Sequence, residues 1–144
     1  MRKILFRGKR KDNDEWAYGD IAHIEDRIFV SYYNNCELKQ FINDEVTSNN
    51  ITLVGIFPFV EVIPETVGQY TGLQANGKKI FEGDIIKISG RSSFYSEVTY
   101  SEDSASYWVE NKNLEYFAEL DSIKPLFIEV VGNVIDNPEL LKNT

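Results

Sequence analysis

Cysteine is almost missing from this chain: Cys36 stands alone among 144 residues. A disulfide within the chain is thereby excluded, which agrees with a reducing compartment. Histidine is as scarce, with His23 the single copy. A metal site needs three or four ligands, so carboxylates would have to supply nearly all of them, and no metal or other cofactor is expected. Proline occurs four times, too rarely for a proline-rich linker. No apolar run is long enough to span a bilayer, and the stretch after the basic start, Ile4 to Phe6, is too short for the core of a secretory signal. The expectation is a cytoplasmic protein with no membrane partner.

Positive charge is sparse over most of the chain. Six of the 15 basic residues, Arg2, Lys3, Arg7, Lys9, Arg10 and Lys11, fall in the first eleven positions, and all 23 acidic residues come later. Residues 12–144 therefore carry nine basic and 23 acidic side chains, a net of −14 within an overall −8. A body this acidic repels a phosphate backbone, so nucleic acid is not the expected partner. Arg7, Lys9, Arg10 and Lys11 are nonetheless the residues that would touch nucleic acid or an acidic protein. The plainer reading has them flank a first strand and its turn, neutralised by neighbouring acids.

What is present is apolar and aromatic material, 42% and 13% of the chain. That is enough for a packed interior in one domain or two small lobes. Short alternating segments separated by turn residues dominate. Lys3 to Gly8 predicts a strand with Ile4 and Phe6 on one face. Asp12-Asn13-Asp14 predicts a turn, and Glu15 to Tyr18 the returning strand. Ile21 to Ile24 and Arg27 to Tyr33 predict a second pair, turning at Glu25-Asp26. Glu37 to Val46 reads either as a short helix or as a loop, and Pro58 marks an edge strand or bend. Asn76-Gly77 predicts a tight hairpin turn, and Gly83-Asp84 a turn into an apolar strand. Phe94, Ser96, Val98 and Tyr100 alternate with polar positions, as do Ala105, Tyr107 and Val109. Residues 114 to 121 fit a strand or a helical turn. Phe127 to Ile135 predicts the last strand, followed by a helical turn with Asn137 as its N-cap.

The fold class that follows is mostly β: a small barrel-like or sandwich-like antiparallel fold with little helix, compatible with an SH3-like barrel in the C-terminal half. The lobes are drawn at 1–63 and 64–144, packed together as one unit.

Motifs for chemistry are few. Gly72 to Lys79 matches a nucleotide-binding P-loop except at its last position, where Lys79 stands in place of the magnesium-binding hydroxyl; strand and turn, rather than the required helix, should follow. Glu82 and Asp84 could pair for acid–base work, but Asp84 reads more simply as a turn residue. Between Tyr95 and Phe117 the aromatics are interleaved with acids, Lys112 being the one base. Base stacking is therefore a poor fit; core packing, cross-strand pairs or a protein-binding patch fit better, with Trp108 as the candidate contact. No catalytic residues are assigned, and an enzyme is not expected.

Three stretches together resemble the YopX family of phage- and prophage-encoded proteins. The first runs from Arg7-Gly8-Lys9-Arg10 to Glu15-Trp16-Ala17-Tyr18-Gly19-Asp20. The most specific is Val62-Ile63-Pro64-Glu65-Thr66-Val67-Gly68-Gln69-Tyr70-Thr71-Gly72-Leu73 with Gly77-Lys78-Lys79-Ile80-Phe81-Glu82-Gly83-Asp84-Ile85-Ile86. The last joins Ile128-Glu129-Val130-Val131-Gly132-Asn133-Val134 to Asn137-Pro138-Glu139-Leu140-Leu141. The Asn76-Gly77 loop is about one residue shorter than the common form. The resemblance implies a phage or prophage origin, a bacterial cytoplasm and a mostly β fold. It carries no activity and no catalytic residue onto this chain. The functional expectation is an accessory protein that binds a host or phage protein or its own copies; the runner-up is nucleic-acid association through the basic head.

Overall fold

Asx chemistry closes the first hairpin. Asn13 Oδ1 accepts the Glu15 N–H at 3.0 Å, the Arg10 N–H donates to Glu15 O at 2.9 Å, and Asp14 takes a φ of 59°. These contacts come from a computed structural model, which describes residues 1–31 and 59–142. Cys36, Pro58 and the Glu37–Val46 segment lie outside the described residues.

The chain divides into two units, Leu5–Val67 on the one hand and Met1–Ile4 with Gly68–Thr144 on the other. In the first, β1 (Phe6–Lys9) pairs antiparallel with β2 (Trp16–Gly19), Phe6 opposite Gly19 and Lys9 opposite Trp16. The strand begins later than its alternation suggested. Ile4 is 59% exposed and belongs with the other unit, so it shares no strand face with Phe6. The second predicted pair forms as β3 (Ile21–Ile24) and β4 (Arg27–Ser31), turning at Glu25-Asp26, and β5 (Phe59–Val62) lies on the other side of β4. Ala17, Val30 and Val62 form the fully buried core of this unit. Gly19 is needed there for close approach: a Cβ would collide with the Ser31 carbonyl. Ser31 Oγ accepts the Asp20 N–H at 2.7 Å and locks the contact.

In the second unit, β6 (Gly68–Ala75) and β7 (Lys78–Phe81) make the predicted hairpin. Asn76 and Gly77 both have positive φ, 51° and 76°, as a type I′ turn requires. The near-P-loop is thus a strand, a turn and a strand, with no helix N-terminus to cradle phosphate. β8 (Asp84–Ile88) starts immediately after a turn at Glu82-Gly83. Asp84 is therefore not a turn residue: it is 2% exposed, and its Oδ2 accepts the Phe81 N–H at 2.8 Å.

β8 is the centre of a three-stranded sheet, flanked by β9 (Phe94–Glu97) and β13 (Ile128–Asn133). A second antiparallel sheet runs β10 (Thr99–Ser101), β11 (Ser106–Asn111), β12 (Tyr116–Glu119). The predicted strand through Phe94 and Tyr100 breaks at buried Val98, so β9 and β10 serve different sheets and Tyr100 ends up exposed. Residues 114–121 resolve both ways, β12 passing directly into a 3-10 turn at Leu120–Ser122. The predicted turn at Pro138–Leu141 forms, but Asn137 does not cap it with its side chain; its Oδ1 accepts the Asn133 N–H instead. Ile80, Ile86, Val98, Val109, Leu120 and Ile128 fill the core. The fold is mostly antiparallel β in several small sheets. Among the described residues its helix is confined to 3-10 turns.

Candidate functional site

Alternation along β11 sorts its side chains onto two faces. Tyr107 and Val109 point to the core, joined from β12 by Tyr116 and Ala118. Ser106, Trp108 and Glu110 point the other way. Register places Trp108 opposite Thr99 on one side and Glu119 on the other, with Glu110 opposite Phe117. Trp108 and Phe117 are thus diagonal cross-strand neighbours. Their rings stack, with centroids 4.3 Å apart and planes 16° apart. The indole N–H is held in place by Ser104 Oγ and Ser106 Oγ, each at 2.8 Å. Phe117 is 65% exposed. The outcome is an aromatic shelf on the outer face of the sheet, braced by the stack and the two hydrogen bonds, with Glu110 and Glu119 beside it in the register.

Arg7, Lys9, Arg10 and Lys11 of the basic head sit in the other unit and are largely engaged by their own surroundings. Arg7 is buried, its guanidinium carbon 4.8 Å from the centre of the Trp16 ring, and the Lys9 ammonium lies 5.8 Å from the same ring. Arg10 grips Asp12 through two hydrogen bonds, Nε to Oδ1 at 2.8 Å and Nη2 to Oδ2 at 2.7 Å. That grip holds the Asp12 carboxyl below its ordinary pKa. Lys11 reaches Glu61 at 2.9 Å, and Arg27 holds the other Glu61 oxygen at 2.8 Å. Arg27 and then Lys11 pull the Glu61 pKa down to about 2. Of the sequence-derived candidates, Arg7 and Lys9 come together on Trp16, Arg10 and Lys11 turn to separate acids, and Trp108 belongs to the other unit.

Sequence reasoning missed two features. One is the partner of Trp108: Phe117 lay in a segment with no clear period, so the stack could not be seen before the register was known. The other is a pair of half-buried acids, Glu82 and Glu97. Burial raises the pKa of Glu82, and burial together with the charge of Glu82 raises that of Glu97. The Tyr107 hydroxyl is raised first by burial and then by Glu82. Glu82, Tyr107 and Arg2 help line a cavity of about 300 Å³. Among the described residues, no three or more His, Cys, Asp or Glu side chains group as a metal site would require.

The family model described as YopX protein matches residues 5–142. The chain belongs to the YopX family. Membership makes it a phage- or prophage-associated protein and brings no biochemical activity with it. Among solved structures, the crystal structure of protein yopX from Bacillus subtilis is similar to this chain with a TM-score of 0.55 and 18% identity. The match covers 98% of this chain and 99% of that one. No curated protein matches the sequence. Among the described residues no helix is long and apolar enough to cross a membrane.

Proposed function

We propose that this YopX-family protein is a phage accessory protein that acts in the host cytoplasm as a binding module rather than an enzyme, docking a basic protein segment on the outer face of the β10–β11–β12 sheet. The observation that carries the reading is the stack of exposed Phe117 on half-buried Trp108, beside Glu110 and Glu119. Rigid, partly exposed aromatics are the side chains from which protein interfaces draw most of their affinity. An arginine or lysine of the partner would lie against the ring faces as a cation–π contact and reach a carboxylate at the same time. The net charge of −8 draws such a partner in. The partner is a host or phage protein; self-association through the same face is the other arrangement this chemistry allows.

Nucleic acid fits less well. Arg10 and Lys11 already hold carboxylates, and a phosphate would have to displace them. The test is affinity capture from host lysate with wild-type protein and with Phe117→Ser, each with and without nuclease. The reading expects a basic protein that survives nuclease and is depleted by the substitution. Recovery that vanishes with nuclease, or that ignores the substitution, overturns it.

A further inference from the structure

A cleft in the Gly68–Thr144 unit lies on the opposite side of β12 from the aromatic shelf. It has a volume of about 540 Å³, within the range of roughly 300–1,000 Å³ common to small-molecule sites. Its apolar surface comes from Ile88 at the end of β8, Phe94 at the start of β9, Ile123 and Phe127. Backbone hydrogen bonds fix these walls. The Ser89 N–H donates to Phe127 O at 2.9 Å, tying the β8–β9 loop to the Pro125–Phe127 turn, and the Phe127 N–H donates to Lys124 O at 2.9 Å. The Phe94 ring is braced by Tyr116, with centroids 5.0 Å apart.

The charge of this cleft runs against that of the chain. Arg91 and Lys124 line it and no carboxylate does, although acids outnumber bases 23 to 15 overall. Among the described residues neither Arg91 nor Lys124 forms an ion pair, in contrast to Arg10, Lys11 and Arg27. Two unneutralised cations and several serine hydroxyls over an apolar floor make a surface that is complementary to an anion with an apolar body.

We propose that this cleft binds a small ring-bearing organic anion, its rings against Phe94, Ile123 and Phe127 and its carboxylate, sulfonate or phosphate facing Arg91 and Lys124. The guanidinium supplies a forked pair of donors for the anionic group, and the ammonium adds a point charge. The site does not depend on the aromatic shelf: Tyr116 and Phe117 are successive residues of one strand and point to opposite faces.

Naphthoate is the probe, and naphthamide, its neutral counterpart of the same shape, is the comparison; both are followed by amide shifts of isotope-labelled full-length protein. Saturable shifts are expected at Gly90–Ser92 and Ser122–Lys124, with naphthamide weaker by about fivefold or more. Changing Arg91 and Lys124 together to Ser should weaken naphthoate by about fivefold or more, leave naphthamide unchanged and leave the spectrum folded, since both side chains are exposed. Phe117→Ser should bind naphthoate as the wild type does. Equal affinity for the two probes, shifts centred elsewhere, an undiminished affinity in the Arg91/Lys124 variant, or no saturation up to roughly 10 mM would each overturn the proposal.

Discussion

Trp108 and Phe117 stack face to face at 4.3 Å across the β11–β12 ladder, and the indole N–H is held by Ser104 and Ser106. Exposed aromatic rings are usually free to turn. Here the sheet register, the stacking and the hydroxyl acceptors fix the geometry before any partner arrives. A surface organised in advance loses less side-chain entropy on binding. That is why this face, and not the longer run of basic residues near the N-terminus, is the contact site in our account.

The basic head gives the first prediction. Binding of single- or double-stranded DNA should be negligible at physiological salt, because Arg7 is buried on Trp16 while Arg10 and Lys11 are engaged by Asp12 and Glu61. Labelled oligonucleotides titrated at two salt concentrations check this. A true phosphate contact would show a log–log salt slope of roughly −0.7 to −0.9 per phosphate. Sub-micromolar affinity with that slope, lost when Arg7, Lys9, Arg10 and Lys11 are changed together to Ser, would contradict the prediction.

The second concerns the turn at Asn76-Gly77. Gly77 has a φ of 76° and open space around its Cα, so a side chain there meets no atom but forces a left-handed backbone. Gly77→Val should destabilise by about 1–2 kcal/mol or more from backbone strain alone. Asn76→Gly, which suits the same dihedral, should leave thermal stability nearly unchanged. Equal melting temperatures for wild type and Gly77→Val would show that the hairpin does not need this turn.

The third concerns pH. Glu61 titrates at about 2 in the fold against an ordinary value of 4.5, held down by Arg27 and Lys11. A depressed carboxyl pKa contributes stability above the unfolded value, and that contribution is lost as pH falls through about 4.5 towards 2. Glu82 and Glu97 act with the opposite sign. Burial raises them, so their ionisation above the ordinary carboxylate range costs stability and their protonation restores it. Glu61→Gln should therefore flatten the acid limb of a melting-temperature profile and leave the neutral limb parallel to wild type. An unchanged acid limb would show that the Arg27–Glu61–Lys11 group contributes nothing to folding.

The alternation in the sequence made several elements legible. Ile21–Ile24 with Arg27–Ser31 and the Asn76-Gly77 hairpin formed where period and turn chemistry agreed. Where two sheets share one run of alternation the sequence misled: Phe94 to Tyr100 reads as one strand, yet buried Val98 ends one sheet and begins the next. Asp84 was hidden for a different reason. A carboxylate next to glycine looks like a turn residue until the Phe81 amide it satisfies is seen. The shelf was half legible. Trp108 stood out among acids as a contact candidate, but its diagonal neighbour depended on a β11–β12 register that the ambiguous 114–121 segment did not declare.

The most direct measurement of the central claim is the affinity of the captured partner for wild-type protein and for Phe117→Ser, read by calorimetry at two salt concentrations. Phe117 is exposed, so the variant should keep the fold and its melting temperature. The account predicts a loss of about tenfold or more, as for a central aromatic contact, and weaker binding to both proteins at higher salt. Binding that changes by less than about twofold in a folded Phe117→Ser variant would contradict it.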